Sequence, residues 1–243
     1  SVLFILLVSF FVVRACVHPK RSLSSEPIRY EIPFFSKLVP PERSIVMGPR
    51  PGLKAGPHVA IILDDWGKNQ AILKKAVEIG RPLTLAVIPN LSHSRQIAEE
   101  AHQKGLGVML HLPMEPFNQY EILEPHTIMV SMKEAEIKKI VDDAVAAVPF
   151  AEGVNNHMGS AATSDSRVMK AILSRLKSKK LFFIDSHVVA TTKGLELARK
   201  TGIRFAERDV FIDNENNVIA IKKQLEKALR IALTHGEAIV IGH

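Results

Sequence analysis

The sequence of 243 residues contains a single cysteine, Cys16. One thiol excludes an internal disulfide, and it excludes a zinc site built from several cysteine thiolates. Any bound metal ion must therefore be held by histidine nitrogens and carboxylate oxygens. The sequence also lacks a glycine-rich phosphate-binding loop and the motif that places a nucleophilic serine on a sharp turn, which argues against nucleotide chemistry and serine hydrolysis.

The sequence has no dense run of positive charge, although its formal net charge is +7. The lysine and arginine residues are spread along predicted helices such as 133–139 and 170–180. This distribution is typical of solvated helix faces and not of a nucleic-acid-binding stripe. We therefore predict that the protein has no nucleic-acid partner.

The N-terminal residues form an apolar segment. Residues 2–13 are uncharged, and Arg14 and two further cations follow them. This pattern is typical of a signal peptide or a membrane anchor, and both alternatives stay open for residues 1–18. Either one predicts an exported, periplasmic or otherwise extracytoplasmic protein whose membrane contact is limited to this segment. Recurrent prolines and glycines then predict a semi-extended linker over residues 19–57.

Both ends of the sequence suggest missing residues. No initiator methionine precedes the apolar segment, and the chain stops at His243, directly after a predicted strand. We therefore expect that the domain over residues 58–243 is truncated and lacks its closing helix.

The domain alternates short apolar runs with helical patterns. Short, wholly apolar strands between helices predict a parallel sheet covered on both faces. Either a barrel or a doubly wound sheet satisfies this alternation. The seven predicted strands are 59–63, 83–88, 107–110, 153–155, 181–184, 203–205 and 238–241.

Polar residues follow the predicted strands at their C-terminal ends. In a barrel these ends converge on one mouth, whereas an open sheet would spread them along an edge. We therefore favour an α/β fold that closes into a (β/α) barrel of about seven parallel strands. The residues at the strand ends are Asp64, Asp65, His111, His157, Asp185, Arg208, Asp209 and His243.

Asp64 and Asp65 form a carboxylate pair directly after a buried strand. Two adjacent negative charges repel each other unless a cation or a proton separates them. A metal ion would remove this repulsion, with one carboxylate binding the ion and the other acting as a base. The alternative is that the pair caps the following helix.

His111 and His157 each lie where a predicted strand opens into a loop. Taken singly, such a residue is more often a structural histidine than a ligand. Together with Asp65, the two histidines provide the two-histidine, one-carboxylate set that suits zinc or a similar divalent ion. We therefore predict a divalent metal cofactor, with zinc favoured.

Several ordered motifs resemble a known family. Residues 62–67, with the sequence ILDDWG, are similar to the opening motif of the polysaccharide deacetylase superfamily. Four companion stretches resemble its divergent branch, and the resemblance extends from residue 57 to the end of the sequence. These stretches are HLPMEP at 111–116, GVNNHMGS at 153–160, FIDS at 183–186 and AIVIGH at 238–243.

The resemblance implies a deformed barrel that hydrolyses the N-acetyl groups of a glycan with metal-activated water. It implies that Asp64 is the general base, that Asp65, His111 and His157 hold the metal, and that His243 is the general acid. Two further acidic residues would orient His243 or its neighbours, and an arginine would steady the carboxylates or an anionic substrate group. These three residues are Asp185, Asp209 and Arg208.

The sequence departs from the family pattern at two places. Glu115 stands where most members have a second histidine, and it either replaces that ligand or points away beside the following proline. An Asn-Asn-His sequence replaces the usual arginine-proline motif at the fourth strand. Glu115, Asn156 and Trp66 are candidates for substrate binding. Trp66 is one because sugars stack on exposed rings, and Phe117 and Tyr120 also lie near the predicted mouth. Trp66 fits a buried position equally well.

Three functions are compatible with these residues. The first is a metal-dependent hydrolase of non-peptide carbon–nitrogen bonds that removes N-acetyl groups from a cell-envelope polysaccharide, such as a peptidoglycan-like polymer, in carbohydrate metabolism. The second is a non-catalytic glycan-binding or envelope-division factor with the same barrel. The third is a metal-dependent esterase or amidase that acts on a substrate other than a sugar.

Overall fold

The computed structural model describes residues 56–243. The predicted N-terminal hydrophobic segment and all but the last two residues of the predicted linker lie outside the described residues. Within residues 56–243, no helix is long and apolar enough to span a membrane.

The described residues form eight strands, and helices connect all but one pair of consecutive strands, as the predicted alternation requires. Each of the seven predicted strands overlaps an observed strand, and Val210–Phe211 is an additional strand of two residues. The strands are β1 His58–Trp66, β2 Thr84–Val87, β3 Gly107–Met114, β4 Gly153–Met158, β5 Phe182–Asp185, β6 Phe205–Glu207, β7 Val210–Phe211 and β8 Glu237–Gly242. The helices are α1 Leu73–Glu78, α2 Ser94–Gln103, α3 Glu134–Ala147, α4 Ser160–Ser164, α5 Ser166–Ser178, α6 Gly194–Thr201 and α7 Val218–His235.

All the strands are parallel and form one sheet in the order β6-β5-β4-β3-β2-β1-β8-β7. The two edge strands, β6 and β7, are separated in sequence by only Arg208 and Asp209. Three residue steps span at most about 11 Å, so the two edges must lie close together. The backbone N–H of Arg208 donates to Asp185 O on β5, and that of Asp209 donates to Ile239 O on β8, each over 3.0 Å. The sheet therefore curls into an incomplete barrel, which confirms the predicted deformed barrel.

The barrel interior is filled by apolar side chains from alternate positions of the strands. Side chains of a strand point alternately to its two faces, so residues two apart share a face. One buried cluster draws its members from strands alone, which places it inside the curled sheet. Its buried members are Ile62, Ala86, Met109, Phe182, Ile184, Ala206, Ile239 and Ile241.

The outer face of the sheet packs against the helices. Leu63, Val87 and Leu110 occupy the positions between the inward residues, and they belong to a larger cluster that includes Ile97 of α2 and Ile172 of α5. The alternation has a consequence at the C-terminal ends of the strands. Residues two positions beyond an inward apolar side chain face the mouth of the barrel, above its apolar filling.

Gly153 provides a test of this interior packing. A Cβ atom at Gly153 would lie 2.2 Å from the ring of Phe182 on the neighbouring strand. We expect Gly153→Ala to lower the free energy of unfolding by about 1–3 kcal/mol, because the added methyl group overpacks the interior. Phe182→Leu alone should also destabilise the protein, by roughly 1 kcal/mol.

In the Gly153→Ala background, the sign of the Phe182→Leu effect should reverse, because the smaller side chain makes room for the methyl group. Urea denaturation of the four proteins measures the coupling between the two positions. Purely additive effects would contradict the proposed contact.

Candidate metal centre and acid-base residues

The end of β1 contains an irregularity that determines where both carboxylates point. Leu63 pairs with Leu85, and Trp66 pairs with Val87, so three steps along β1 correspond to two steps along β2. Asp65 has φ of 63°, in the left-handed region that few residues other than glycine adopt. One extra residue in a strand breaks the alternation of side-chain directions. Asp64 and Asp65 therefore both face the mouth instead of opposite sides of the sheet.

Asp65, His111 and His157 form a compact triangle of possible ligand atoms. Oδ1 of Asp65 lies 3.2 Å from Nε2 of His111 and 3.0 Å from Nδ1 of His157. The two histidine nitrogens are 3.2 Å apart. These are the three residues that the sequence predicts as metal ligands, and among the described residues they form a group whose donor atoms could hold one ion.

The dimensions of this triangle fit a divalent ion. Ligand atoms bound to one zinc ion at about 2.0–2.2 Å are separated from one another by roughly 3–3.5 Å. The observed separations are 3.0–3.2 Å. The donor set of two imidazoles and one carboxylate also suits zinc and similar ions, and it leaves coordination positions for water and substrate.

Asn155 fixes the orientation of His111. Its Nδ2 donates to Oδ1 of Asp64 over 2.9 Å, so its Oδ1 accepts from Nδ1 of His111, at 2.8 Å. With a proton on Nδ1, Nε2 is the ring nitrogen directed at Asp65 and His157. A partner of this kind sets the tautomer of a ligating histidine. Asn155 is fully buried, and no role was predicted for it from the sequence.

The charges of the cluster shift the pKa values of its members. Burial raises the pKa of Asp65, but hydrogen bonds with His111 and His157 outweigh it and leave the pKa well below its ordinary value. Burial lowers the pKa of His111, but the charge of Asp64 and the hydrogen bond with Asp65 raise it above its ordinary value. The triangle therefore favours a positive charge between its members, which either a proton or a cation can supply.

Asp64 differs from Asp65 in its surroundings. Its side chain is almost completely buried, and burial raises its pKa above the ordinary value despite the opposing effects of His111 and Asn155. Oδ2 of Asp64 lies 3.6 Å from Nε2 of His111. Of the two carboxylates, Asp64 is therefore the better proton acceptor, because a raised pKa means a stronger base.

His243 lies on the other side of Asp65, at the end of β8. Its Nε2 is 3.8 Å from Oδ2 of Asp65, and its Nδ1 is 3.2 Å from Oδ2 of Asp213. The same oxygen of Asp213 accepts from the backbone N–H of His243 over 2.7 Å. The hydrogen bond to Asp213 raises the pKa of His243 above its ordinary value. His243 therefore keeps its second ring proton to higher pH than an ordinary histidine does, and it lies beside the triangle.

The residues predicted to orient His243 have other contacts in the structure. Asp185 accepts from the backbone N–H of His187 and from the hydroxyl of Thr192. Asp209 accepts from the backbone N–H of Ile239. The residue that holds the ring of His243 is Asp213, for which the sequence predicts no role. The roles assigned to Asp185 and Asp209 from the family resemblance stay predictions.

Arg208 lies at the seam between β6 and β7. Its guanidinium donates to the backbone carbonyls of Ser186 and His187 and lies over the ring of Phe211, 5.1 Å from the centroid. Burial lowers the pKa of Arg208, although the charges of Asp185 and Asp64 oppose this. These contacts hold the β5–α6 loop against the seam. The predicted contact with carboxylates or an anionic substrate stays a prediction.

The side chains of the three predicted substrate-binding residues pack against or hydrogen-bond to other parts of the protein. Trp66 is 6% exposed and packs in the cluster between sheet and helices. Asn156 is 1% exposed, and its side chain bonds to the backbone of Met158 and Ser186. The carboxylate of Glu115 accepts from the backbone N–H of Val130. Glu115 therefore supports the loop after β3, and it is not a member of the ligand triangle.

Two bacterial proteins are similar to the chain in sequence. The chain is 32% identical over 217 residues to the uncharacterized protein YibQ of Escherichia coli, covering 89% of this chain and 65% of that protein. It is 33% identical over 185 residues to an uncharacterized protein of Haemophilus influenzae, covering 76% of this chain and 66% of that protein. The chain thus spans a little less than two thirds of the length of these relatives.

A solved structure shares the fold. The uncharacterized protein ATU2773 from Agrobacterium tumefaciens superposes with a TM-score of 0.74 at 22% sequence identity, over 80% of this chain and 79% of that one. A family model described as divergent polysaccharide deacetylase matches residues 61–243. This match contains both carboxylates of β1, the two histidines of the triangle and His243, and the chain therefore belongs to the divergent polysaccharide deacetylase family.

Proposed function

We propose that the protein is a metal-dependent hydrolase that removes acetyl groups from the nitrogen of an acetylated amino-sugar polymer. The observation that carries this proposal is the triangle of Asp65, His111 and His157, with Asp64 and His243 both beside it. The family suggests an acetylated polysaccharide as the substrate class. An exported protein would meet such a polymer in the cell envelope.

The three residues of the triangle are proposed to hold a divalent ion. Zinc suits their two nitrogens and one carboxylate oxygen best. When bound, the ion would supply Lewis acidity, which polarises the acyl carbonyl and lowers the pKa of the attacking water.

Asp64 is proposed to act as the general base. Burial raises its pKa, and the amide of Asn155 holds Oδ1, so that Oδ2 remains to take a proton. Asp64 would take the proton of the water as the oxygen attacks the acyl carbon. The water oxygen then becomes part of the acetate product.

His243 is proposed to act as the general acid. The hydrogen bond to Asp213 raises the pKa of its ring, and its Nε2 lies 3.8 Å from Oδ2 of Asp65 in the triangle. His243 would give its proton to the sugar nitrogen as the carbon–nitrogen bond breaks, which releases a free amine. Arg208, Asp185 and Asp209 are proposed to brace the loops around this pair.

Metal content tests the ligand set. We expect about one divalent ion per chain in the purified protein, and we expect Asp65→Ala, His111→Ala and His157→Ala each to lose it, because each removes one of three ligands. His126→Ala, on an exposed loop, is the matched control and should retain the ion. Elemental analysis after dialysis against zinc measures the content. Unchanged binding in all three ligand variants would contradict the site.

The Asp64→Asn variant separates catalysis from binding. The variant keeps the shape of the side chain but cannot accept a proton, so we expect turnover of acetylated amino-sugar oligomers to fall by about a hundredfold or more. The bound metal and the affinity for glycan should be retained. Acetate release and elemental analysis, run on the same preparations, measure the two properties.

A glycan-binding protein without catalysis is the competing function. It is supported if the unaltered protein binds oligomers and metal but releases no acetate from any acetylated amino sugar. Full turnover by Asp64→Asn would instead show that another group is the base.

The pH dependence of kcat/KM tests the pairing of His243 with Asp213. The base must be deprotonated and the acid protonated, so we expect a bell-shaped profile. The contact with Asp213 raises the pKa of His243, which extends the alkaline limb to higher pH. Removing this charge by Asp213→Asn should move the alkaline limb to lower pH, while the acidic limb, assigned to Asp64, keeps its position. An unmoved alkaline limb would contradict the role of His243 as the acid.

A further inference from the structure

The connection between β3 and the α-helix that follows it begins at the mouth of the barrel, because it follows the C-terminal end of β3. We call residues 115–130 the mouth loop. Glu124 of this loop forms an ion pair of 2.7 Å with Lys68, and Lys68 follows Asp65 by three residues. The backbone N–H of Phe117 donates to the hydroxyl of Ser160 over 2.8 Å, just after β4. The loop is therefore fixed to the ends of β1 and β4, which carry two of the three triangle residues.

The mouth loop exposes large apolar side chains to solvent. Tyr120 is 96% exposed, Ile122 is 90% exposed and Phe117 is 61% exposed. Four of the nine exposed large hydrophobic residues of the described chain lie within residues 117–123. Exposed apolar groups that cluster beside a site usually mark a binding surface, whereas single ones are common everywhere.

The shape of the loop is set by its own polar contacts. Oδ1 of Asn118 accepts from the backbone N–H of Tyr120 over 3.1 Å, and its Nδ2 donates to Glu121 over 2.9 Å. Side-chain contacts of this kind replace backbone pairing in turns. The rings are thus presented outward by an ordered turn instead of being packed on the core.

We propose that Phe117 and Tyr120 bind sugar units of the polymer that lie next to the reacting unit. This inference rests on the proposed function and names a subsite of it. The apolar face of a pyranose ring stacks on an aromatic ring, and carboxylates accept hydrogen bonds from sugar hydroxyls. The exposed Glu121, between Tyr120 and Ile122 in the sequence, provides such a carboxylate.

The charge of the loop favours a glycan over a lipid surface. Residues 105–132 contain no lysine or arginine, and Glu121 adds an exposed carboxylate, whereas Glu124 is paired with Lys68. Anionic lipid surfaces attract lysine and arginine and repel carboxylates. An uncharged sugar polymer meets no such repulsion, and the free amines created by deacetylation would be attracted to the loop.

Binding measurements with defined oligomers test this subsite. We expect the protein to bind the pentamer of N-acetylglucosamine more tightly than the dimer in calorimetry. Phe117→Ala and Tyr120→Ala should each weaken pentamer binding by about five- to tenfold, because each removes a stacking ring. The loss should be smaller for the dimer, which reaches fewer units beyond the triangle.

Two variants control the measurement. Phe150 is 52% exposed, similar to Phe117, and it precedes β4 at the opposite end of the barrel. Phe150→Ala should therefore leave the affinity unchanged. Tyr120→Phe keeps the ring and should retain most of the affinity. Equal affinities of all four variants and the unaltered protein would overturn the proposal, and so would the absence of any pentamer binding.

The same loop variants also exclude the lipid alternative. If the unaltered protein binds phosphatidylcholine vesicles through Phe117 and Tyr120 and shows no pentamer binding, the surface is a membrane site and the proposal is wrong. Affinity is measured without turnover, so ring-dependent binding in a protein that releases no acetate would support the subsite and would reject the hydrolase function.

Discussion

The site depends on one extra residue in β1. In a regular strand Asp64 and Asp65 would face opposite sides of the sheet, and only one could reach the mouth. The irregularity at Asp65 lets Asp64 keep the inward direction set by Ile62, while Asp65 turns to the same mouth and contacts both histidines. The side chain of Trp66 then packs in the cluster between the sheet and the helices. The separation of the two carboxylates into a buried base and a ligand follows from this local geometry.

Much of the fold and all three members of the triangle could be predicted from the sequence, because strand ends in a barrel converge. Because successive side chains of a strand point to opposite faces, the sequence also contains information on which strand-end residues face the mouth. Asn155 shares the inward direction of His157 and pairs with His111, whereas Asp185 follows Ile184 and points outward toward α6. A strand-end residue at an even spacing from an interior residue faces the mouth, as Asn155 does, and one at an odd spacing faces the helices, as Asp185 does.

Other contacts had no signal in the sequence. Asp213 reaches His243 only because the chain crosses from one sheet edge to the other in two residues and then forms β7. A strand of two residues has too little pattern to be predicted. Trp66 was ambiguous for a different reason, because a register irregularity decides whether its ring faces the mouth or the core. Long-range closure and register are properties of the whole sheet, and a local pattern does not contain them.

Asn155 places a constraint on how this site can change during evolution. Its amide has one donor end and one acceptor end, and both are used, toward Asp64 and His111. Exchange for aspartate would set a third carboxylate against Asp64, and exchange for leucine would leave two buried polar groups without a partner. Positions 64, 111 and 155 therefore form a hydrogen-bonded unit in which a change at one position requires a compensating change at another.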